Sequence, residues 1–569
     1  MGSRFNKVVP SGQMLKQRCT SLRAWEVPKE ESSIAPPYVR TNKDMDPTPP
    51  EDQTWTIWTW MGYWCADMLN LGTWQTASAI ITVGLTWREA IPVMVVGTFC
   101  VAVPMVLNGA IGAHLHIPFS VIVRSGFGYR FAYFCIVSRA ILAMFWLGIQ
   151  SVGGSYCITV MIAAIWPSYN NIPNRIAKDQ GITTQGFISY FLFWLIQLPL
   201  LLIPPTKLRW LFIVKIVATP IVALATMGWC IHKAGSSGDL WNQQPQVSGS
   251  EYTYLWLSAM SSVTGTWATL SCNIPDFSRY AKESRGQWVQ LPFLPIIFTA
   301  CGILGIVTTS ASKVVYDEFL WNPLEIIAHW SHSSGGRAAA FFAATAWLIA
   351  QVGTNITANS ISAANDLTVL FPRWVNIKRG VIIATIIGNW VIVPWKILST
   401  AQTFLAFMGG YAVFLAPMAG IMCADYWIIK RRQFDVPALY DPRGRYKYYH
   451  GFNWQGFVTF LVSLSPNLPG LAYSINSGVS ISAGARHLYS FGWLYGFVTS
   501  VFLYTVLHMI FPCKNSLVIQ SVEDLERIDG ISYTHDSDGD SESKHPEKIF
   551  EKQPMAQDAK VAQFLDPRK

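Results

Sequence analysis

Four side chains within two apolar segments have the types and spacing needed to bind a flat polar ring. Trp146 and Gln150 lie four residues apart in one segment, and Asn355 and Asn359 lie four apart in another. In a helix this spacing places both side chains on one face, one turn apart. An indole can stack on a ring, and a carboxamide can pair with ring N–H and C=O groups. The competing interpretation is that these amides bond neighbouring helices together.

Asp67 is a second chemical candidate, because it is the only acidic residue in the central part of its apolar segment. An ionisable group in the hydrocarbon region of a membrane is costly unless it faces protein or water. In a transporter such a carboxylate is a candidate proton carrier. The alternative is a structural role, in which Asp67 pairs with Lys215 or with the N–H groups of a broken helix.

The segments that carry these residues indicate the class of protein. The chain has 569 residues, of which 51% are hydrophobic and 13% are charged, whereas a soluble domain has about 25% charged residues. Apolar stretches of about 20 residues recur between Trp55 and Phe511, which is typical of a polytopic α-helical membrane protein. This pattern excludes a single soluble globule, a disordered chain and a nucleic-acid binder. The ten cysteines are scattered without paired spacing, so no metal site, cofactor or disulfide framework is predicted.

Twelve helices are predicted between two polar tails. The loops predicted on the inner side hold about twice as many Lys and Arg residues as the outer loops, which favours both termini in the cytosol. The eleventh helix is the least regular, because Pro466 and Pro469 interrupt its apolar run. The predicted spans are 56–84, 91–112, 130–165, 184–204, 210–231, 253–275, 290–311, 337–368, 378–399, 402–428, 454–474 and 489–511.

The first and sixth predicted helices are expected to be broken. The first contains GTWQTAS (72–78) and the sixth contains GTWATLS (265–271), and these strings match at five of seven positions. Five helices separate them, which is the spacing of a five-plus-five repeat. Polar, glycine-containing spots in corresponding helices of two halves mark the substrate site of repeat-built transporters. Chance similarity over so short a window is the alternative.

Several strings resemble the nucleobase–cation symport family 1, and within it the fungal permeases for uracil, allantoin and uridine. They are FWLGIQ (145–150), NIPDFSRY (273–280), TNITAN (354–359), PMAGIMCADYW (417–427) and NKDMDPTPPE (42–51). The resemblance, which covers about residues 40–510, implies an all-α membrane protein with a LeuT-like five-plus-five inverted-repeat core and two peripheral helices. The expected parts are a cytosolic N-terminal tail (1–54), the transport core (55–430), a loop with helices eleven and twelve (431–512) and a disordered cytosolic C-terminal tail (513–569).

The resemblance also implies a substrate site between helices one, three, six and eight. In the family, tryptophans from helices three and six sandwich the ring, and a glutamine and an asparagine bind its edge. A further asparagine of this chain, one turn from the first, is expected to support it, and in the family a polar residue lies at the break of helix one. In that order, the matching residues are Trp146, Trp267, Gln150, Asn359, Asn355 and Asn70.

The coupling ion is a further expectation from the resemblance. Bacterial relatives bind sodium through oxygens of helices one and eight. Gly353 stands where a serine hydroxyl would be, and a hard cation needs several oxygen ligands. The lack of this hydroxyl ligand favours proton coupling, with Asp67 as the candidate proton carrier. The positions that match the sodium site are Ala66, Leu69, Ala350, Gly353 and Thr354.

Together these features predict a secondary active importer in the plasma membrane, not an enzyme. Its expected substrate is uracil, uridine, allantoin, uric acid or a related heterocycle, which crosses the lipid bilayer with a proton by alternating access. The alternative is a transporter of the same fold for thiamine, nicotinamide riboside or another vitamin. The sequence leaves a non-transporting receptor open.

Overall fold

The computed structural model describes residues 20–29, 31–203, 205–235, 241–519 and 521–522. Throughout this part of the chain the regular structure is helical, and twelve helices, α1 to α12, follow the predicted order. Apart from the end of α9, their boundaries fall within a few residues of the predicted ones. They are α1 (Ile57–Met68 and Leu71–Thr82), α2 (Trp87–Leu115), α3 (Ala132–Ile165), α4 (Thr184–Leu201), α5 (Arg209–Ala234), α6 (Gly249–Thr266 and Ala268–Asn273), α7 (Gln290–Tyr316), α8 (Ser334–Thr354, Asn355–Ser360 and Ile361–Leu370), α9 (Ile377–Ile386 and Ile387–Val391), α10 (Ala401–Cys423 and Ala424–Ile429), α11 (Trp454–Leu464 and Leu468–Ile475) and α12 (Gly492–Ile510).

Eight of these helices are long and apolar enough to cross a membrane, namely α2, α3, α4, α5, α7, α8, α10 and α12. The other four are interrupted. Helix α9 ends at Val391, earlier than predicted, because Val393 is left-handed and Pro394 begins a separate short helix. Helix α11 passes through a 3-10 turn that begins at Ser465, where Pro466 cannot donate a backbone hydrogen bond.

The predicted breaks in α1 and α6 are confirmed. In α1 the chain leaves the helix at Leu69, and Asn70 is extended, with φ −144° and ψ 165°. The Asn70 side chain accepts a hydrogen bond from the Thr73 N–H at 3.0 Å and donates to the Asp67 carbonyl, so it caps the second half of the helix. In α6 a single residue, Trp267, departs from helical geometry, with φ −115° and ψ 10°.

The two matching strings do not occupy equivalent positions at these breaks. Gly72 follows the N-cap of the second half of α1 by two residues, whereas Gly265 precedes that of α6 by two residues. The strings therefore pointed to the correct two helices, although the first string follows its break and the second spans its break.

Two groups of helices face each other across the centre of the molecule. Helices α2 and α7 pack together and contact the broken helices α1 and α6, while α3 packs along α8 and α4. Helix α10 lies against α6 and carries α12 on its other side. Buried apolar residues of α2, α3, α6, α7 and α10 form a continuous core. The breaks of α1 and α6 consequently open toward α3 and α8.

Both termini of the described chain lie against the same end of the bundle, here called the tail face. The N-terminal strap (residues 25–29 and 31–55) crosses three loops of this face: the Val27 N–H donates to the Arg373 carbonyl at 2.9 Å, and the Thr48 N–H donates to the His116 carbonyl at 2.8 Å. The Tyr440 hydroxyl donates to the Met45 carbonyl at 2.7 Å. The strap is thus bound to the bundle along its length.

The start of the predicted C-terminal tail also has structure. Lys514–Ser516 forms a short 3-10 helix, and the Arg445 guanidinium donates to the Leu517 carbonyl at 3.2 Å. Val522 pairs with Asp435 in an isolated bridge. The remainder of that tail, like residues 1–19 of the predicted N-terminal tail, lies outside the described residues.

Candidate functional site

A buried cavity lies where the breaks of α1 and α6 face α3 and α8. Five of the six residues assigned to the predicted substrate site line it, and none of them is more than 7% exposed. The sixth, Asn355, is fully buried behind the cavity wall. The five that the fold brings together are Asn70, Trp146, Gln150, Trp267 and Asn359.

The two indoles of the cavity are held by contacts outside it. The Trp146 Nε1–H donates to the Tyr411 hydroxyl at 3.0 Å, and that hydroxyl donates to the Gly265 carbonyl at the end of the first half of α6. Trp267 packs edge-on against Trp64, with ring centroids 5.5 Å apart. These contacts fix both rings before any ligand binds. Tyr411 is a supporting residue that the sequence pattern did not reveal.

The Gln150 amide is oriented by a chain of hydrogen bonds that starts at a backbone group. The Leu71 N–H, at the start of the second half of α1, donates to Gln351 Oε1 at 3.0 Å. Because a backbone N–H can only donate, Gln351 must present its amide nitrogen on the other side. That nitrogen donates to Gln150 Oε1 at 2.5 Å and to the Gln150 carbonyl at 3.1 Å. The Gln150 Nε2 donor therefore remains for the cavity.

The Asn359 amide is oriented in the opposite sense by a second chain. Asn355 Nδ2 donates to the Leu147 carbonyl at 3.2 Å and to Gln197 Oε1 at 3.0 Å. A carbonyl can only accept, so Asn355 must present its oxygen to Asn359. Asn359 Nδ2 donates to that oxygen at 2.9 Å. The Asn359 Oδ1 acceptor is left for the cavity, and Asn355 holds the Asn359 amide in this orientation.

This arrangement can bind a planar ring that carries both a carbonyl and an N–H group. Gln150 supplies a fixed donor and Asn359 a fixed acceptor, while the indoles of Trp146 and Trp267 supply flat apolar surfaces. The Trp267 Nε1–H is buried and has no hydrogen-bond partner among the described residues, so it can donate to a ligand as well. Asn70 has less capacity to bind a ligand, because both its amide nitrogen and its amide oxygen form hydrogen bonds at the α1 break.

Asp67 is not a lone carboxylate in the fold. It is fully buried, and the Lys215 ammonium of α5 lies 3.7 Å from its Oδ1 atom. The Thr357 hydroxyl of α8 donates to the same oxygen at 2.8 Å. Of the two structural partners considered for Asp67, the fold therefore places Lys215 beside it. Together with Thr357, this pair connects α1, α5 and α8 beside the cavity.

Lys215 also reaches the positions that match the sodium site. Its ammonium donates to the Thr354 hydroxyl at 2.8 Å, and that hydroxyl donates to the Ala350 carbonyl at 3.0 Å. A Cβ atom at Gly353 would lie 3.0 Å from Lys215 Cδ, so the glycine leaves room for the lysine stem. Ala66 and Leu69, the two matching positions in α1, flank the Asp67 turn. A fixed amino group thus occupies the region where those positions would hold a cation.

Arg139 is a cavity residue that was not predicted. Its guanidinium pairs with Asp366 of α8, lies 3.6 Å from Asp276 Oδ2 after α6, and donates to the Ser362 carbonyl at 3.0 Å. Asp276 in turn accepts from a backbone N–H beside the tail face, that of Phe119, at 2.9 Å. The sequence spacing could have identified Arg139 as a cavity residue, because it precedes Trp146 by seven residues, which is two helical turns along the same face.

Comparisons with known proteins agree with this architecture. Residues 47–496 match the family described as permease for cytosine/purines, uracil, thiamine, allantoin. The chain is 36% identical over 484 residues to an uncharacterized permease of Schizosaccharomyces pombe, covering 85% of this chain and 86% of that one. It is 30% identical over 513 residues to the allantoin permease of Saccharomyces cerevisiae, covering 88% and 80% of the two chains.

The inward-facing structure of Mhp1 has a similar fold. The TM-score is 0.66 at 20% sequence identity, and the match covers 86% of this chain and 98% of Mhp1. At this level of identity the likeness establishes the fold, which is the five-plus-five architecture expected from the sequence.

Proposed function

The chain belongs to the family of permeases for cytosine/purines, uracil, thiamine and allantoin, and from this membership we propose that it imports a nucleobase or related heterocycle of the uracil, allantoin, uridine or uric acid type with a proton. The observation that carries the proposal is the cavity between two indoles, where Gln150 offers a donor and Asn359 an acceptor. Uracil and allantoin both present a ring carbonyl beside a ring N–H, which is the complement of that pair. The remaining cavity residues then hold the ring by stacking and shape.

The uptake of labelled compounds tests this proposal directly. Cells that lack their own uptake systems and express this chain are expected to take up at least one ring of a panel containing uracil, uridine, allantoin, uric acid and thiamine. Uptake of thiamine alone would favour the vitamin transporter, and binding without uptake would indicate a receptor. A catalysed conversion of a ring in isolated membranes would contradict the assignment as a transporter.

Proton coupling is proposed because Lys215 lies where the sodium-site positions converge. Its ammonium contacts the Thr354 hydroxyl and pairs with Asp67, so a cation-binding pocket would already contain a positive charge. Asp67 is the proposed proton carrier, since a change in its protonation would alter the link between α1 and α5. Its neighbours Ala66, Leu69, Ala350 and Gly353 are then parts of the coupling region without being ion ligands.

Sodium independence is the expected result for the wild-type protein. Replacing external sodium by choline should leave the initial uptake rate unchanged, because Lys215 supplies the positive charge at that place. Raising the external pH by two units should reduce accumulation, because the inward proton gradient is smaller. A requirement for sodium, with no response to pH, would contradict the proposed coupling.

Alternating access is proposed to proceed by movement of the α1–α2–α6–α7 group against α3 and α8. Arg139 and Asp366 on one side and Asp276 on the other would close the route from the cavity toward the tail face. With the tail face in the cytosol of a cell and the protein in its plasma membrane, the separation of this cluster releases the ring inward.

The N-terminal strap is proposed to influence this movement from the tail face. Arg373, in the loop between α8 and α9, donates to Glu26 Oε1 at 2.5 Å. This hydrogen bond holds the pKa of the Glu26 carboxyl below its usual value. The contact is therefore present above the usual pKa of a glutamate and is lost only as the pH falls through the lowered value, so a near-neutral cytosol leaves the strap docked.

Loosening the strap is expected to change the substrate profile. Arg373→Ala and a deletion of residues 1–40 should both alter the relative uptake of the rings in the panel, because each removes strap contacts from a loop beside α8. Lys378→Ala, which changes an exposed basic residue next to that loop, is the control and should leave the profile as in wild type. An unchanged profile in the deletion variant would contradict a role of the strap in transport.

A further inference from the structure

Gln351 is a fully buried residue of α8 whose hydrogen bonds join three helices. Its oxygen accepts from the Leu71 N–H of α1, and its nitrogen donates to Gln150 of α3. It does not appear among the residues lining the cavity in the described part of the chain. Its two bonds nevertheless decide which atom of Gln150 faces a ligand.

The Leu71 N–H is one of the N–H groups that the break of α1 leaves without an intrahelical partner. Its 3.0 Å hydrogen bond to Gln351 Oε1 satisfies this N–H group. The bond also fixes the direction of the whole chain of hydrogen bonds, since a backbone N–H can only donate. Neither the Gln351 amide nor the Gln150 amide can therefore turn over without leaving a buried group unpaired. Such an unpaired group is unfavourable, because it has lost its hydrogen bonds to water and gained none in the protein.

The neighbouring helix is shaped to admit the Gln351 amide. Gly153 lies one turn after Gln150 in α3, and a Cβ atom at this position would lie 2.5 Å from Gln351 Nε2 and 3.2 Å from Leu71 Cδ1. Any side chain at residue 153 would push the Gln351 amide away from Gln150. The glycine and the glutamine thus form one positioning unit.

We propose that Gln351, admitted by Gly153, is a specificity-determining positioning residue that keeps the Gln150 donor facing the ligand and thereby selects rings with a carbonyl at that place over rings with an amino group. The inference rests on the proposed function and names the substrate class within it. Uracil presents a carbonyl beside a ring N–H. Cytosine shares the N1–H and 2-carbonyl pair of uracil, so the two rings are compared with N1 methylated. 1-Methyluracil still presents a carbonyl beside a ring N–H, whereas 1-methylcytosine presents an amino group beside an unprotonated ring nitrogen and meets Gln150 with a donor and Asn359 with an acceptor.

The wild-type protein is the first test. Unlabelled 1-methyluracil and unlabelled 1-methylcytosine are compared as competitors of whichever labelled ring the panel shows to be taken up. 1-Methyluracil is expected to compete at least about tenfold better than 1-methylcytosine, since the reversed edge leaves buried groups unpaired. Equal competition, failure of both rings to compete, or a preference for 1-methylcytosine overturns the inference even though uptake itself is normal. If no ring of the panel is taken up, the proposed function fails instead.

Gln351→Met is the second test, because methionine fills similar space without a donor or an acceptor. The Gln150 amide is then able to turn over, and the inhibition constant of 1-methylcytosine divided by that of 1-methyluracil is expected to fall by about tenfold. A purely structural role would lower surface expression and maximal rate for every ring but leave this ratio unchanged, and that result overturns the inference.

Gly153→Ala is a second variant that displaces the Gln351 amide from Gln150, and it keeps the test decisive if Gln351→Met does not reach the membrane. It should lower the same ratio of inhibition constants as Gln351→Met does. Gln455→Met and Gly228→Ala are the matched controls: Gln455 is a buried glutamine of α11, and a Cβ at Gly228 meets no atom within 4 Å. Both controls are expected to retain the wild-type ratio, and a loss of selectivity in them equal to that of Gln351→Met overturns a specific role for Gln351.

Discussion

Asn359→Ala is expected to abolish measurable ring uptake while the protein remains at the cell surface. The change removes the acceptor that faces the cavity, and it also leaves the Asn355 oxygen without its 2.9 Å donor. Each lost or unpaired buried hydrogen bond costs about 1–3 kcal/mol. Together the two losses correspond to a fall in uptake efficiency of roughly a hundredfold or more, since each 1.4 kcal/mol is about a factor of ten.

The measurement is the initial uptake rate over a range of ring concentrations, with surface protein quantified in the same cells. Asn467→Ala is the matched control, because Asn467 is equally buried but lies between the two halves of the peripheral helix α11. That variant should keep the wild-type KM even if less protein reaches the membrane. Gln150→Ala should resemble Asn359→Ala. Wild-type kinetics in Asn359→Ala or Gln150→Ala would refute the proposed binding site.

Asp67→Asn is expected to eliminate accumulation driven by a pH gradient and to leave exchange of ring across the membrane intact. An asparagine cannot take up and release the proposed proton, whereas the cavity residues are unchanged. The measurement compares net accumulation under an inward proton gradient with counterflow of labelled ring in preloaded cells. Asp179→Asn, at an exposed loop position, is the control and should accumulate normally.

A second variant separates coupling from stability. Asp67→Asn leaves the buried Lys215 ammonium without its carboxylate at 3.7 Å, and breaking a buried pair in this way typically destabilises a protein by about 3–5 kcal/mol. The double variant Asp67→Asn with Lys215→Met removes both charges and should recover surface protein without recovering accumulation. Accumulation in proportion to the pH gradient in the double variant would show that neither residue carries the coupling proton.

The fold class and the helices that build the site were predictable because their signals are local. Apolar runs of membrane-spanning length give the twelve helices, and polar or glycine-containing stretches within two of them mark the breaks near Asn70 and Trp267. The spacing of Trp146 and Gln150 places both on one face of α3 whatever the rest of the chain does. Polar groups at such positions must be bonded or face a cavity, so their chemistry is visible in the sequence.

Only the tertiary structure decided how these residues are used. Gln150 receives its orienting bond from a residue 201 positions away, and that residue is fixed by a backbone group 280 positions from it. The sequence likewise allowed Asp67 several partners, and packing of α5 selected Lys215. Asn355 shares a predicted helix face with Asn359, yet contacts with α3 and α4 hold it behind the cavity. Amide orientation and charge pairing depend on groups that meet only after the helices pack, so no local pattern specifies them.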